Sequence, residues 1–159
     1  MDEPQAFEAF FEENRMRLFG ALCLVTGNRH EAEEIAQDAF LKVWERWDRV
    51  AGLEDPAGYL FRAAMNVFRN RARRAGLAMR QALALAPRSD DLAAVEDRDE
   101  MVRALRPLTP HQRAAVVLTS YLGYPSDEAA KVLGVRASTV RALAAKGRAT
   151  ARQTVEGRT

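Results

Sequence analysis

Residues 126–148 read SDEAAKVLGVRASTVRALAAKGR and carry the pattern of a helix-turn-helix unit. Ala130, Gly134 and Val140 occupy the fifth, ninth and fifteenth places of this stretch. A small residue lets two helices cross, a glycine supplies the positive φ of a tight turn, and an apolar residue fills the gap between the helices. The spacing therefore predicts a short helix from Ser126, a turn at Gly134 and a last helix over about 137–154.

The last helix has two different faces. If Val140 points inward, Leu143, Ala144 and Gly147 lie on the same side because the helical repeat is 3.6 residues. The opposite face carries short side chains and one arginine, which suits a DNA major groove, and basic residues flank it for phosphate contacts. The outward residues are Ser138, Arg141, Ala142 and Ala145, with Arg136 and Lys146 at the flanks. An ordinary helical hairpin is the alternative reading.

Composition and periodicity indicate an all-α protein. The chain has 159 residues, of which 48% are hydrophobic and 29% charged, so it can bury a core. The single cysteine, Cys23, excludes an internal disulfide and fits a reducing compartment. No apolar run approaches the roughly 18 residues of a membrane span, and the acidic N-terminus does not resemble a signal peptide. We therefore expect a cytoplasmic protein without membrane contacts.

Apolar spacing and capping residues divide the chain into two small helical domains. The predicted domains are residues 1–75 and 93–159, joined by a flexible linker over 76–92 that contains Gly76, Pro87 and Ser89. Asn28, Asp55, Thr109 and Ser126 are the expected helix N-caps. The predicted helices cover residues 5–26, 28–49, 56–75, 92–105, 110–123, 126–133 and 137–154.

The net charge of +2 conceals a strong segregation of charge. Residues 1–61 hold 13 acidic and 6 basic side chains, whereas residues 62–89 hold seven arginines and no acid. Residues 90–128 are again acidic, and residues 129–159 hold seven bases and one acid. Two separate basic blocks indicate two contact zones for a polyanion, although solvated arginine faces would give the same count.

The helix after Pro56 combines a core stripe with a polar face. Its apolar residues are Leu60, Phe61, Ala64, Val67 and Phe68. Its other side carries Tyr59, Arg62, Asn66, Arg69, Asn70 and Arg73. Cations for phosphates, amides for base edges and one aromatic ring for stacking suit exposed bases better than a closed duplex. The alternative is a solvent-facing, arginine-rich helix.

The stretch AEEIAQDAFLKVWERW, residues 32–47, contains both tryptophans of the chain. Its inward stripe is Ile35, Ala36, Ala39, Phe40, Val43, Trp44 and Trp47, and its outer face is Glu34, Gln37, Asp38, Leu41 and Glu45. An exposed leucine is common, but a leucine framed by an amide and acids also suits the anchor of a protein interface with a polar rim.

An enzyme is a poor reading of this sequence. His30 and His111 are the only histidines, and neither belongs to an HExxH motif. The chain has no Walker loop, no GxSxG motif and no cluster of metal-ligating residues. We expect no catalytic residue, no metal site and no cofactor.

Together, AEEIAQDAFLKVW, DPAGYLFRAAMNVFRNRARR and the helix-turn-helix resemble the extracytoplasmic-function group of sigma-70-type sigma factors, over about residues 7–153. The resemblance implies two domains, sigma2-like and sigma4-like, and a factor that binds core RNA polymerase and promoter DNA. The implied polymerase contacts are the β′ clamp coiled coil and the β flap. Many relatives are held inactive by an anti-sigma factor, so such a partner is also possible under this reading.

The resemblance also implies a role for each surface. The acidic helix would bind the clamp coiled coil through Glu34, Gln37, Asp38 and Leu41. The loop over 48–55 and the helix after Pro56 would recognise the −10 element and hold its non-template strand unpaired, through Tyr59, Arg62, Asn66, Arg69, Asn70 and Arg73. The helix-turn-helix would read the −35 element through Arg136, Ser138, Thr139, Arg141 and Lys146. A stand-alone helix-turn-helix regulator with an N-terminal sensing or dimerisation domain is the competing hypothesis.

Overall fold

A computed structural model describes residues 2–82 and 100–157, and these are helical and connecting segments without a strand. The helices are α1 (Glu3–Thr26), α2 (Arg29–Glu45), α3 (Trp47–Val50), α4 (Pro56–Ala82), α5 (Glu100–Leu105), α6 (Pro110–Val116), α7 (Ser126–Leu133) and α8 (Ala137–Glu156). A π-helical turn, Val117–Tyr121, extends α6. The all-α prediction is confirmed. Within the described ranges no helix is long and apolar enough to cross a bilayer.

Capping residues fix several helix ends as the sequence predicts. The Asn28 side chain accepts a hydrogen bond from the Glu31 amide at 2.9 Å. Thr109 and Gln112 form a reciprocal capping box at the start of α6. Gly27 and Gly134 end α1 and α7 with φ of 66° and 68°, a region that glycine enters without steric cost.

Four details of the predicted helices differ from the structure. Helix α4 continues through Gly76 to Ala82, because one glycine costs only about 1 kcal/mol among good helix formers. The predicted helix over 28–49 breaks at Arg46, whose φ of −121° separates α2 from α3. The predicted helix over 110–123 widens into the π-helical turn. Ser126 does not cap α7, since Pro125 occupies the N-cap position and no side-chain cap bond forms. The other predicted linker residues, and the predicted helix start at 92, lie outside the described residues.

Helices α1, α2 and α4 pack around one core. Its fully buried members include Leu18, Leu22, Ile35, Leu60 and Phe61. At one end, an aromatic cluster joins Phe7, Phe10 and Phe40 to the tryptophans. Trp47 is buried there, but Trp44 is 44% exposed, so the predicted inward position of Trp44 is wrong. Trp44 lies at the edge of the buried stripe of α2, next to Gln37 and Leu41 of the outer face, because it precedes Trp47 by three residues and follows Val43 by one.

Helices α5 to α8 form the second unit, and α8 packs along α6 and α7. Val140 and Ala144 of α8 are buried, and so is Ala130 of α7, as the helix-turn-helix reading predicts. Ala129 of α7 is buried as well. The second unit also packs against the first, because α7 contacts α4 and α6 contacts α1. The sequence did not predict this association.

Gly147 lies where α8 packs tightly on α6 and the residue before it. A Cβ at this position would lie 2.7 Å from Val116 Cγ2 and 3.0 Å from Leu108 Cδ2. We expect Gly147→Ala to lower the free energy of unfolding by about 1–3 kcal/mol through overpacking, although alanine favours helices. The matched control is Gly76→Ala in α4, where an added Cβ meets nothing within 4 Å and a gain of roughly 0.5–1 kcal/mol is expected. Urea unfolding of both variants measures these two changes in the free energy of unfolding, which should have opposite signs. A stabilised Gly147→Ala variant would refute this account of the α6–α8 packing.

Candidate functional site

The outer face of α2 presents an apolar groove shared with α1. Leu41 is 57% exposed and Gln37 is exposed beside it. Together with α1 they line a groove of about 1060 Å³, here called the α1–α2 groove. Its other apolar walls include Phe7, Phe11, Met16 and Trp44. The groove joins a leucine anchor to a polar rim, which is the composition of a protein-binding surface.

Glu34 and Asp38 do not extend this face freely into solvent. Arg71 of α4 donates a hydrogen bond to Glu34 Oε2 at 2.8 Å and lies 3.7 Å from Asp38 Oδ2. His30 Nε2 lies 3.1 Å from the other oxygen of Glu34. The hydrogen bond from Arg71 holds the pKa of Glu34 below its ordinary value, and the same bond raises the pKa of Arg71. The two carboxylates therefore connect α2 to α4, and Gln37 and Leu41 remain the open part of the predicted set.

The polar face of α4 is present, but part of it is covered. Arg62, Asn70 and Arg73 are exposed, whereas Tyr59, Asn66 and Arg69 are half-buried. Tyr59, Arg62 and Asn66 line a cleft of about 340 Å³ with Lys42, Glu45 and Arg46 of the α2–α3 junction. Arg73 donates to the Asn70 side chain at 3.0 Å. The structure thus brings the six predicted residues onto one face, which contains a cleft with cationic and amide walls.

The helix-turn-helix has the predicted geometry. Val140 is fully buried, Ala130 is 6% exposed and Gly134 adopts the left-handed conformation. The predicted DNA-facing residues Arg136, Ser138, Thr139, Arg141 and Lys146 are all exposed. The N-terminal half of α8 therefore presents an exposed, basic surface at the position of a recognition helix in a helix-turn-helix.

Sequence reasoning missed two residues at these surfaces. Met16 is 68% exposed and lines the α1–α2 groove, and Arg71 connects α4 to the acids of α2. The sequence could have indicated Met16, because α1 has more apolar residues than one buried stripe requires. The partner of Arg71 depends on how α2 and α4 pack, and no spacing within either helix encodes it.

Family comparisons match both units. The family model described as Sigma-70 region 2 matches residues 10–77, and the family model described as Sigma-70, region 4 matches residues 98–150. The chain is 31% identical over 150 residues to ECF RNA polymerase sigma factor SigM of Mycobacterium tuberculosis, covering 91% of this chain and 74% of SigM. It is 28% identical to ECF RNA polymerase sigma factor SigE of Mycolicibacterium smegmatis. That match covers 90% of this chain and 59% of the length of SigE.

A solved structure has the same fold. The sigma factor RpoE of Bartonella quintana, determined in complex with the anti-sigma factor NepR, superposes with a TM-score of 0.77 at 19% identity and covers 96% of this chain and 98% of RpoE. The two region matches and the identity to SigM agree with the order of acidic helix, basic helix and helix-turn-helix. The chain belongs to the extracytoplasmic-function group of sigma-70-type RNA polymerase sigma factors.

Proposed function

We propose that this chain binds core RNA polymerase through the α1–α2 groove and directs it to promoters by contacts from α4 and α8. The observation that carries the proposal is the separation of three surfaces of different chemistry. The groove is apolar with Leu41 exposed, the α4 face is cationic with amides, and α8 is a basic recognition helix. Each surface suits one partner: protein, unpaired DNA and duplex DNA.

Within this proposal, the residues divide by partner. Gln37 and Leu41 contact the β′ clamp coiled coil, while Glu34 and Asp38 hold the α2 face in place through Arg71. The α4 residues bind the −10 element, with the Tyr59 cleft next to the α2–α3 junction. The exposed residues of α8 bind the −35 element, and the second unit, residues 93–159, contacts the β flap.

The protein acts by binding and not by catalysis, and its partners place it in the cytoplasm. An anti-sigma factor is a further expected partner, because the structurally similar RpoE was solved with one bound. A stand-alone helix-turn-helix regulator would leave the α1–α2 groove and the α4 face without a role. No feature of the described surfaces favours that alternative.

Run-off transcription tests the proposal. Core polymerase is incubated with fragmented genomic DNA, with and without the protein, and the transcript ends are mapped. New start sites that require the protein, preceded by shared elements near −10 and −35, are the expected result. If the protein yields no new start sites but represses existing ones, the sigma role is wrong for this chain.

Arg141→Ala separates base reading from phosphate binding. Arg141 is exposed in the first turns of α8, and a base contact there would be worth about 1–3 kcal/mol. We expect the variant holoenzyme to lose that much binding free energy on its own promoters. The loss should be smaller on promoters whose −35 element has been altered. Lys146→Ala is the matched control, because loss of a phosphate contact weakens binding to all sequences alike and lowers the salt dependence. Equal losses of the Arg141→Ala variant on all promoters would reassign Arg141 to phosphate binding.

A further inference from the structure

The exposed face of α8 offers few hydrogen-bonding groups to the edge of a base. Val140 and Ala144 are buried, so the helical repeat places Ala142 opposite the buried side. Ser138 and Ala145 are exposed next to Ala142. The middle of this face therefore consists of two methyl groups and one hydroxyl group, which is unusual for a surface that would read bases by hydrogen bonds alone.

Two basic side chains lie at the edges of the same face. Arg141 and Lys146 are both exposed, on opposite sides of the alanines. Within residues 2–82 and 100–157, the Arg141 guanidinium has neither an ion pair nor a hydrogen bond. Its donors are therefore available to a ligand. A guanidinium group binds guanine O6 and N7 with two parallel hydrogen bonds, whereas a lysine ammonium suits a phosphate as a point charge.

Packing fixes the rotation of α8 about its own axis. A Cβ at Gly147 would lie 2.7 Å from Val116 Cγ2 and 3.0 Å from Leu108 Cδ2, so no larger residue of α8 can turn into that position. Ala142 and Ala145 consequently stay on the outer face, and no longer side chain can take their place there.

Short side chains allow α8 to lie deep in a major groove. The groove is about 12 Å wide and about 8.5 Å deep, and a helix with ordinary side chains is roughly 10–12 Å across. With only a methyl group at Ala142 and at Ala145, the helix backbone can come closer to the base edges than long side chains would permit. The apolar group that bases present in this groove is the C5 methyl of thymine.

An alanine against a base edge distinguishes thymine from cytosine in two ways. Contact between its methyl group and the thymine methyl removes apolar surface from water. Cytosine instead presents its N4 amine, a donor that an alanine leaves without an acceptor at a cost in free energy. Ala142 and Ala145 can therefore discriminate between bases although they carry no polar side-chain atom.

We propose that Ala142 and Ala145 are specificity-determining residues of the −35 contact, which read thymine methyl groups beside a guanine bound by Arg141. This inference rests on the proposed function, since α8 is the proposed −35 surface. The ligand is duplex DNA in which a G·C pair adjoins A·T pairs, and its recognition depends on apolar contacts as well as on hydrogen bonds.

Substitution of thymine by uracil tests the methyl contacts. Promoters mapped by run-off transcription supply the −35 element, and each of its thymines is replaced in turn by deoxyuridine, which lacks only the C5 methyl. We expect the holoenzyme to lose affinity about fourfold at each contacted thymine. An element without thymine, or a loss below about twofold at every thymine, would overturn the proposal.

Glycine variants assign each methyl contact to a residue. In Ala142→Gly and Ala145→Gly, the difference in affinity between the thymine and uracil duplexes should disappear at one thymine each. Both duplexes are compared on the same variant, so the lower helix propensity of glycine cancels. Ala149→Gly is the matched control, because Ala149 is exposed on the same face but lies beyond the first turns of α8 and should leave the difference unchanged. A difference that persists in both test variants would overturn the assignment.

A selection with the full chain alone separates this proposal from the sigma role. The protein selects duplexes from a random-sequence pool, and the enriched duplexes receive the same uracil substitutions. A uracil effect in this selection, without new start sites in run-off transcription, would support methyl reading by α8 and contradict the sigma role. New start sites without a uracil effect would leave the sigma role intact and overturn the methyl reading. A chain that gives neither new start sites nor enriched duplexes would overturn both.

Discussion

Leu41→Glu is expected to weaken binding to core RNA polymerase by about thirtyfold or more while leaving the fold unchanged. Leu41 is 57% exposed, so the substitution costs little in the free protein. In a complex the leucine would be the apolar anchor of the α1–α2 groove, and loss of such an anchor costs at least about 2 kcal/mol. The new carboxylate would also be desolvated next to apolar walls, which adds to the loss.

Leu53→Glu is the matched control for this prediction. Leu53 is 46% exposed, undergoes the same chemical change and does not line the α1–α2 groove. We therefore expect its affinity for core polymerase, measured by fluorescence titration, to stay within a few-fold of the wild type. Undiminished binding of the Leu41→Glu variant would remove the groove from the polymerase interface.

Trp47→Ala is expected to destabilise the protein by about 3–5 kcal/mol, and Trp44→Ala by about 1–2 kcal/mol. Trp47 is 7% exposed, and its ring lies 5.4 Å from Phe7 and 5.2 Å from Phe10 between centroids. Its removal leaves a cavity that the surrounding rings cannot fill. Trp44 contacts Phe7 at 4.9 Å but is 44% exposed, so less apolar surface returns to water when it is removed.

Urea unfolding followed by circular dichroism compares the two tryptophan variants on equal terms. The pair is informative because both residues were assigned to one buried stripe from sequence. Equal destabilisation would restore the inward assignment of Trp44. A larger loss for Trp47→Ala would agree with Trp47 as the buried ring and Trp44 as the ring at the edge of the stripe.

Local rules predicted the elements that carry the function. Capping by Asn28 and Thr109, the left-handed glycine at 134 and the stripe through Val140 were all predicted, because each depends on residues within one or two helical turns. The exposure of Leu41 and of Arg141 followed from the same periodicity. The end of α4 did not follow from these rules. Gly76 has no neighbour within 4 Å of an added Cβ, and such a glycine neither ends nor stabilises a helix strongly.

The sequence by itself determined the helical class, the two units and, apart from Trp44, the residue faces of α2, α4 and α8, because these depend on helical periodicity and on caps nearby in the chain. Only the tertiary structure decided the partners across those faces. It paired Arg71 with Glu34 and Asp38, and it placed Arg62 and Arg69 on the end of α7. An arginine on a helix face can reach solvent, DNA, a carboxylate or a helix end, and which partner it finds depends on residues about 35 to 70 positions away.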